Sequence, residues 1–345
     1  MPSFTNPTPN HRFNATSEKR ALGRHFTKRG VPRSKPGKLL LCSWNIANLG
    51  EQKRSAAALD VLAYILARFD LIALQEVKAD WGHLKTLMKE LGSSFDFVMS
   101  DTAGNSERLA YIYRKSRVKP RQLFGELALR PREYPKRTVK VRYEQGGQQK
   151  VDTFRNLRFV PFDRNPFIGS FDAKGFDLTL VNVHLYFGKF GNSTNPAHRA
   201  KYARRVLEIY ALSRWADRSH QRRTVYDKDI VLLGDMNVPA MTPEDSAYDA
   251  LTDFGWQPLD HGTQTGGATN IRNTKTYDQV VFAPGGASRR IVQSNVFDFD
   301  NAVFGSLWDR LKVGRSDKQA STLFNKHLQF HLSDHRPVWI ELDAS

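Results

Sequence analysis

Six stretches of this chain place a polar or charged residue where an apolar run stops or begins. Asn45 follows "LLLCSW", Gln75 and Glu76 end "LIALQEV", and Asn182 and His184 lie two apart in "LTLVNVHLYFG". Asp235 and Asn237 lie two apart in "IVLLGDMNVPA", Asp278 opens the run in "TYDQVVF", and Asp334 and His335 precede the final run in "LSDHRPVWIEL". Singly, each has an ordinary explanation: Asn and Gly-Asp suit turns, and a lone histidine is commonly a satisfied core residue. Gathered together they do chemistry. Glu76, Asp235 and Asp334 would repel one another and raise each other's pKa unless a cation sat among them. Oxygen donors from Asp, Glu and Asn suit a hard ion such as Mg²⁺ or Ca²⁺ better than zinc. Two histidines, each with a carboxylate to fix its tautomer, suit general acid–base work on a phosphoester.

Such a gathering requires strands that end at one edge of a sheet. Apolar runs of strand length recur at "LLLCSW", "LIALQEV", "FDFVMS", "LAYIYR", "FDLTLVNVHL", "DIVLLGD", "YDQVVFA" and "PVWIEL". Helical spacing predicts helices over about 53–68 (Leu59, Leu62, Leu66, Phe69), over the Leu84, Leu87, Met88, Leu91 segment, and over about 197–216. No fixed-period repeat or second compositional regime divides the chain. The expectation is one α/β domain over 38–345 with two packed sheets flanked by helices. The Arg-, Lys-, Gly- and Pro-rich stretch 114–168 reads as a basic hairpin or loop excursion, and 300–330 as a further surface insertion.

The 345 residues carry 52 Lys and Arg against 35 acids, a formal net charge of +17, which favours a polyanionic partner, above all nucleic acid. Residues 1–38 alone hold nine Lys or Arg and one acid, Glu18. With little apolar periodicity, residues 1–37 read as a flexible basic arm, a tether for substrate and not part of the centre. The hydrophobic fraction of 40% is enough for a sizeable core. No stretch approaches the roughly 20 apolar residues that span a bilayer, so no membrane partner is expected. Cys42, the single cysteine, excludes an intrachain disulfide and a Cys-rich zinc site. With no apolar leader at the N-terminus, the expected compartment is the cytoplasm.

The order Asn45, Gln75-Glu76, "NVH" at 182–184, "GDMN" at 234–237 and "SDHRPV" at 333–338 resembles the endonuclease/exonuclease/phosphatase superfamily, and within it the deoxyribonuclease I-like branch. "GNSERLAYIYRKSRV", "TYDQVVFAPG" and "VFDFDNAVFG" extend the likeness over about 39–344. The resemblance implies a four-layer α/β sandwich of two packed mixed sheets and metal-dependent hydrolysis of phosphodiesters. It implies Asn45, Glu76 and Asp334 as ligands of Mg²⁺, with Mn²⁺ or Ca²⁺ as substitutes. His184 and His335 would be the acid–base pair, oriented by Glu107 and Asp278, with Asp235 and Asn237 positioning water and phosphate. Arg164, in "FDRNPFIGSF", would clamp phosphate. Lys78, standing where the branch has a groove-entering Arg, would contact substrate together with Asn182.

The expected activity is therefore a Mg²⁺-dependent DNA endonuclease acting on double-stranded DNA and leaving 5′-phosphate and 3′-hydroxyl ends. The rival is a phosphoesterase of the same superfamily acting on a phospholipid or an inositol phosphate. A lipid-acting enzyme should carry an exposed aromatic or apolar hairpin, whereas the long insertion here, "RPREYPKRTVKVRYEQGGQQK", is basic.

Overall fold

The computed structural model describes residues 4–188, 193–260, 267–283 and 285–345. Two six-stranded mixed sheets stack face to face. The first has the order β13 (Ile291–Val296), β14 (Val338–Asp343), β1 (Lys38–Leu49), β2 (Leu71–Lys78), β4 (Glu107–Arg114), β3 (Phe95–Met99). The second runs β11 (Gln257–Pro258), β12 (Asp278–Phe282), β10 (Ile230–Asp235), β9 (Asp177–His184), β8 (Phe167–Asp172), β5 (Lys119–Glu126). Each sheet has a central parallel pair, β1 with β2 and β9 with β10, flanked by antiparallel partners. Strands buried on both faces need apolar side chains on both, which is why "IVLLGD" and "LIAL" read as continuous apolar runs.

Leu39, Leu41, Tyr111, Phe171, Leu180, Leu233 and Ile340 belong to the core between the sheets. On the outer face of the first sheet lie α1 (Ala15–Lys28), α2 (Ala56–Leu66), α3 (Gly82–Leu91), α6 (Gly305–Lys312) and α7 (Asp317–His331). Over the second lie α4 (Pro196–Gln221), α5 (Ser246–Thr252) and a separate hairpin of β6 (Arg137–Gln145) and β7 (Gln148–Leu157). The result is the four-layer sandwich. No helix among the described residues is long and apolar enough to cross a membrane.

Two expectations are corrected. The supposed flexible arm contains α1, capped by the Asn14 side chain, with Leu22 and Phe26 in the core and the Phe26 ring stacked on Phe297 at 4.2 Å. Leu22 and Phe26 are four apart, one helical stripe inside a strongly basic sequence, so charge masks the amphipathic signal. His25 Nε2 lies 2.8 Å from Asp298 Oδ1, Arg29 pairs with the same carboxylate, and Glu18 accepts the Phe304 N–H at 2.8 Å. The segment 300–330, read as a surface insertion, supplies α6 and α7, whose Leu307, Leu311, Ala320 and Leu328 join the same core.

Candidate active site

The strands deliver their polar residues to one end of the sandwich, at the seam between the sheets. β1 and β2 bring Asn45 and Glu76 at their carboxyl ends, and β9 and β10 bring His184 and Asp235 likewise. The antiparallel strands β4 and β12 contribute their first residues, Glu107 and Asp278, and the turn before β14 holds Asp334 and His335. Register makes the grouping definite: Asp235 is paired with His184 on one side and Asp278 on the other.

Local backbone features aim these groups. β2 bulges between Leu74 and Val77, and Glu76 within the bulge takes φ 63°, as Ala47, Asn48 and Asn237 also take positive φ. Non-glycine residues in this region are strained and cluster at functional sites. Gly234 has φ 136°, and a Cβ there would lie 2.0 Å from the Val183 carbonyl oxygen. Only glycine lets β10 lie against β9 at the residue before Asp235.

Each histidine is held by a carboxylate from the opposite sheet. His184 Nδ1 is 2.8 Å from Glu107 Oε2, and His335 Nδ1 is 2.7 Å from Asp278 Oδ2. The far nitrogens face one atom: Asp235 Oδ2 lies 3.6 Å from His184 Nε2 and 3.8 Å from His335 Nε2. Asp235 Oδ1 accepts the Asn237 N–H at 2.8 Å, and Asn237 Nδ2 donates to the Leu185 carbonyl at 2.9 Å. Asn45 Nδ2 donates to Glu76 Oε1 and Asp235 Oδ2, both at 3.0 Å, while the Asn48 N–H donates to Glu76 Oε2 at 2.9 Å.

The electrostatics are those of a site built for added positive charge. Burial, reinforced by Glu76 and Asp235, pushes the Asp334 carboxyl up. Burial would lower His335, but Asp278, Asp235 and Asp334 together raise it well above the ordinary range. Burial would raise Glu107, yet the His184 ring, then Arg164 and Lys78, hold it down. Glu76, Asp235 and Asp334 are the carboxylates that could hold a hard divalent cation, whereas Asn45 turns its amide nitrogen to Glu76 and Asp235 while its Oδ1 accepts the Ala47 N–H at 3.0 Å. Mixed carboxylate–histidine sets, Glu76 with Glu107 and His184 and Asp235 with Asp278 and His335, also lie within 4.8 Å in ligand atoms.

Three residues expected to touch substrate are occupied by the protein itself. Lys78 is buried, donating to Glu107 Oε1 at 3.0 Å and the Asn105 carbonyl at 3.1 Å. Arg164 donates to the His184 and Leu185 carbonyls, both at 2.8 Å, and so braces the turn after β9. Asn182, two residues before His184 and on the same face of β9, points between the sheets. Its amide donates to the Leu74 and Ala110 carbonyls and accepts from Gln75 Nε2 at 2.7 Å. Its place in the sequence does not separate it from His184, because period two fixes the face and not the depth in the sandwich.

Other residues at the site carried weak sequence signals. Ser333 Oγ donates to the Asn45 carbonyl and accepts the His335 N–H at 3.0 Å; a serine two residues before a histidine turn was its clue. Buried Arg54 donates to the Ile46, Ala47 and Leu332 carbonyls, tying β1 to the "SDH" turn, and nothing in "EQKRSAA" marks it out. Arg336 of "SDHR" forms a two-pronged pair with Asp300 at 2.7 Å.

Two crossed histidine–carboxylate pairs around a shared aspartate, beside carboxylates that could hold a cation on a two-sheet sandwich, are the equipment of a hydrolase of phosphate esters. The model of the Endonuclease/Exonuclease/phosphatase family matches residues 42–335, and the chain belongs to that family. Among curated relatives, it is 23% identical over 326 residues to a deoxyribonuclease of Thioalkalivibrio sp. (strain K90mix), covering 91% of this chain and 74% of that one. It is 24% identical over 328 residues to deoxyribonuclease gamma of Rattus norvegicus, covering 89% and 85%. Among solved structures, D. rerio TDP2 complexed with a single-strand DNA product shares the fold with TM-score 0.51 and 15% identity, covering 88% of this chain and 98% of that one. The Bacteroides thetaiotaomicron mannosyl-6-phosphatase Bt3783 does so with TM-score 0.50 and 17% identity, covering 88% and 99%.

Proposed function

We propose that this protein is a Mg²⁺-dependent endonuclease that hydrolyses phosphodiester bonds of double-stranded DNA, leaving 5′-phosphate and 3′-hydroxyl ends. The observation that carries the proposal is the convergence of His184 Nε2 and His335 Nε2 on Asp235 Oδ2, at 3.6 and 3.8 Å. A phosphodiester needs a proton taken from attacking water and a proton given to the departing oxygen. Asp235, fixed by Asn45 and by the Asn237 N–H, is the acceptor that can orient the water. The imidazoles, tied at Nδ1 by Glu107 and Asp278, hold and deliver protons at Nε2. Glu76 and Asp334 would hold the cation, joined by Asn45 once its amide turns Oδ1 inward, and the bound cation would offset the negative charge of the phosphate. Nucleic acid is favoured over lipid by the formal charge of +17 and by the exposed Lys140, Arg142, Lys150 and Arg155 of the β6–β7 hairpin. The deoxyribonuclease names of the curated relatives support the same substrate.

The test is incubation with supercoiled plasmid, RNA, sphingomyelin and a sugar phosphate, each with Mg²⁺ or with EDTA. Nicked and linear plasmid in the Mg²⁺ arm alone is expected, with loss of nearly all cleavage in folded Glu76→Ala. Turnover of the lipid or sugar phosphate without plasmid cleavage would replace the nuclease by the rival phosphoesterase.

A further inference from the structure

Away from the catalytic seam, three histidines meet on the outer face of the first sheet. His327 and His331 lie four residues apart on α7, so one helical face carries both rings, their centroids 5.9 Å apart. His11, from the segment before α1, places its ring centroid 5.9 Å from that of His327 and 6.1 Å from that of His331. All three are buried, with exposures of 5%, 0% and 4% for His11, His327 and His331. Yet neither ring nitrogen of His327 or of His331 has a hydrogen-bond partner, nor has Nε2 of His11. A neutral imidazole carries one N–H and one acceptor, and burying them unpaired is costly. Purely apolar packing would be served as well by Leu or Phe.

We propose that His11, His327 and His331 form a second metal site, for a transition-metal dication of the zinc class, which ties the N-terminal segment to α7. Imidazole is the favoured ligand of such ions, and two histidines spaced i, i+4 on a helix can turn ring nitrogens toward one point. The cluster contains no carboxylate, so it does not suit the Mg²⁺ or Ca²⁺ that the catalytic oxygens suit. His331 and His11 line a cavity of about 930 Å³, with Glu51 and Arg54 among its walls, which gives an ion and its water a route in. Burial, then repulsion between the rings and the Arg310 and Arg54 guanidiniums, lowers His327 to about 4 and His331 to about 3. His11 is lowered by burial and Arg310. Neutral rings are the ligating form. Those two guanidiniums oppose any cation, which favours one whose bonds to nitrogen are strong. Bonds of about 2.0–2.1 Å require the rings to turn inward, and no hydrogen bond holds either α7 ring against turning.

The proposal stands apart from the nuclease reading, and its test does not use activity. Metal-stripped full-length protein is titrated with Co²⁺, read by visible d–d absorption, and then with Zn²⁺, read by melting temperature. Wild type, His327→Gln/His331→Gln, His11→Gln and the catalytic-site variant Glu76→Gln are compared, with circular dichroism as the folding control. The expected result is a four-coordinate Co²⁺ spectrum and a Zn²⁺-dependent rise in melting temperature in wild type and in Glu76→Gln. Binding should weaken at least tenfold in His11→Gln and vanish in the double variant. Absence of the spectrum in wild type, or its survival in folded His11→Gln at full strength, would reduce the cluster to aromatic packing. Loss in Glu76→Gln alone would assign the ion to the catalytic seam and overturn the proposal.

Discussion

Replacing Asp278 with Asn changes one atom and the direction of one hydrogen bond. A carboxylate only accepts, so Asp278 Oδ2, 2.7 Å from His335 Nδ1, keeps the proton on Nδ1 and turns Nε2 toward Asp235. An amide can present its N–H instead, which reverses the tautomer and leaves Nε2 unable to play the same part in proton transfer. General acid–base catalysis contributes about 10²–10⁴ in rate, or about 3–5 kcal/mol at roughly 1.4 kcal/mol per decade. Asp278→Asn should therefore lower kcat by about 10²–10⁴ with KM little changed, since the group acts through His335 and not on the substrate. Asp278 is isosteric with Asn, so thermal unfolding should move little. The decisive assay is a cycle of plasmid nicking by wild type, Asp278→Asn, His335→Ala and the double variant under Mg²⁺ saturation. If Asp278 works by orienting His335, the double variant is no slower than His335→Ala within a factor of about three. Multiplicative losses in the double variant, or a single Asp278→Asn within tenfold of wild type, would refute the assignment.

Three further outcomes follow from the same structure. Phe26→Ala should cost about 3–5 kcal/mol of stability, and removal of residues 4–30 should unfold the domain; a truncated protein of unchanged melting temperature would show that α1 is dispensable. Burial would raise Asp298, but hydrogen bonds from His25 and Arg29 hold it at about 2. A depressed acid stabilises above its unfolded value near 4 and loses that contribution as pH falls towards 2, about 2–3 kcal/mol in all; Asp298→Asn should flatten the acid limb of urea-unfolding curves, and an unchanged limb would count against the pairing. Lys140→Gln/Arg142→Gln on the exposed face of β6 should weaken DNA binding and reduce the slope of log K against log salt by about 0.9 for each phosphate no longer neutralised; an identical slope would remove the hairpin from the binding track.

The candidate site was legible in one dimension because its groups sit at the ends of strands. Apolar runs located β1, β2, β9, β10, β12 and β14, and the polar residues at their ends named Asn45, Glu76, His184, Asp235, Asp278 and His335. Period-two alternation and turn chemistry act over a few residues, so sequence carries them directly. Pairing across the seam is a different matter. That Glu107 from the first sheet holds His184 of the second, and Asp278 of the second holds His335, depends on how the sheets stack, and no local pattern encodes it. The same holds for the side chains expected to face substrate. Lys78 and Arg164 have the charge to meet phosphate, but tertiary packing buries them against Glu107 and the His184–Leu185 carbonyls. Asn182 shares the face of His184, yet lies deep enough to bond the backbone of the facing sheet. The N-terminal residues show most clearly what composition hides: nine basic side chains dominate the segment's composition, while Leu22, Phe26 and Val31 bind it to the core.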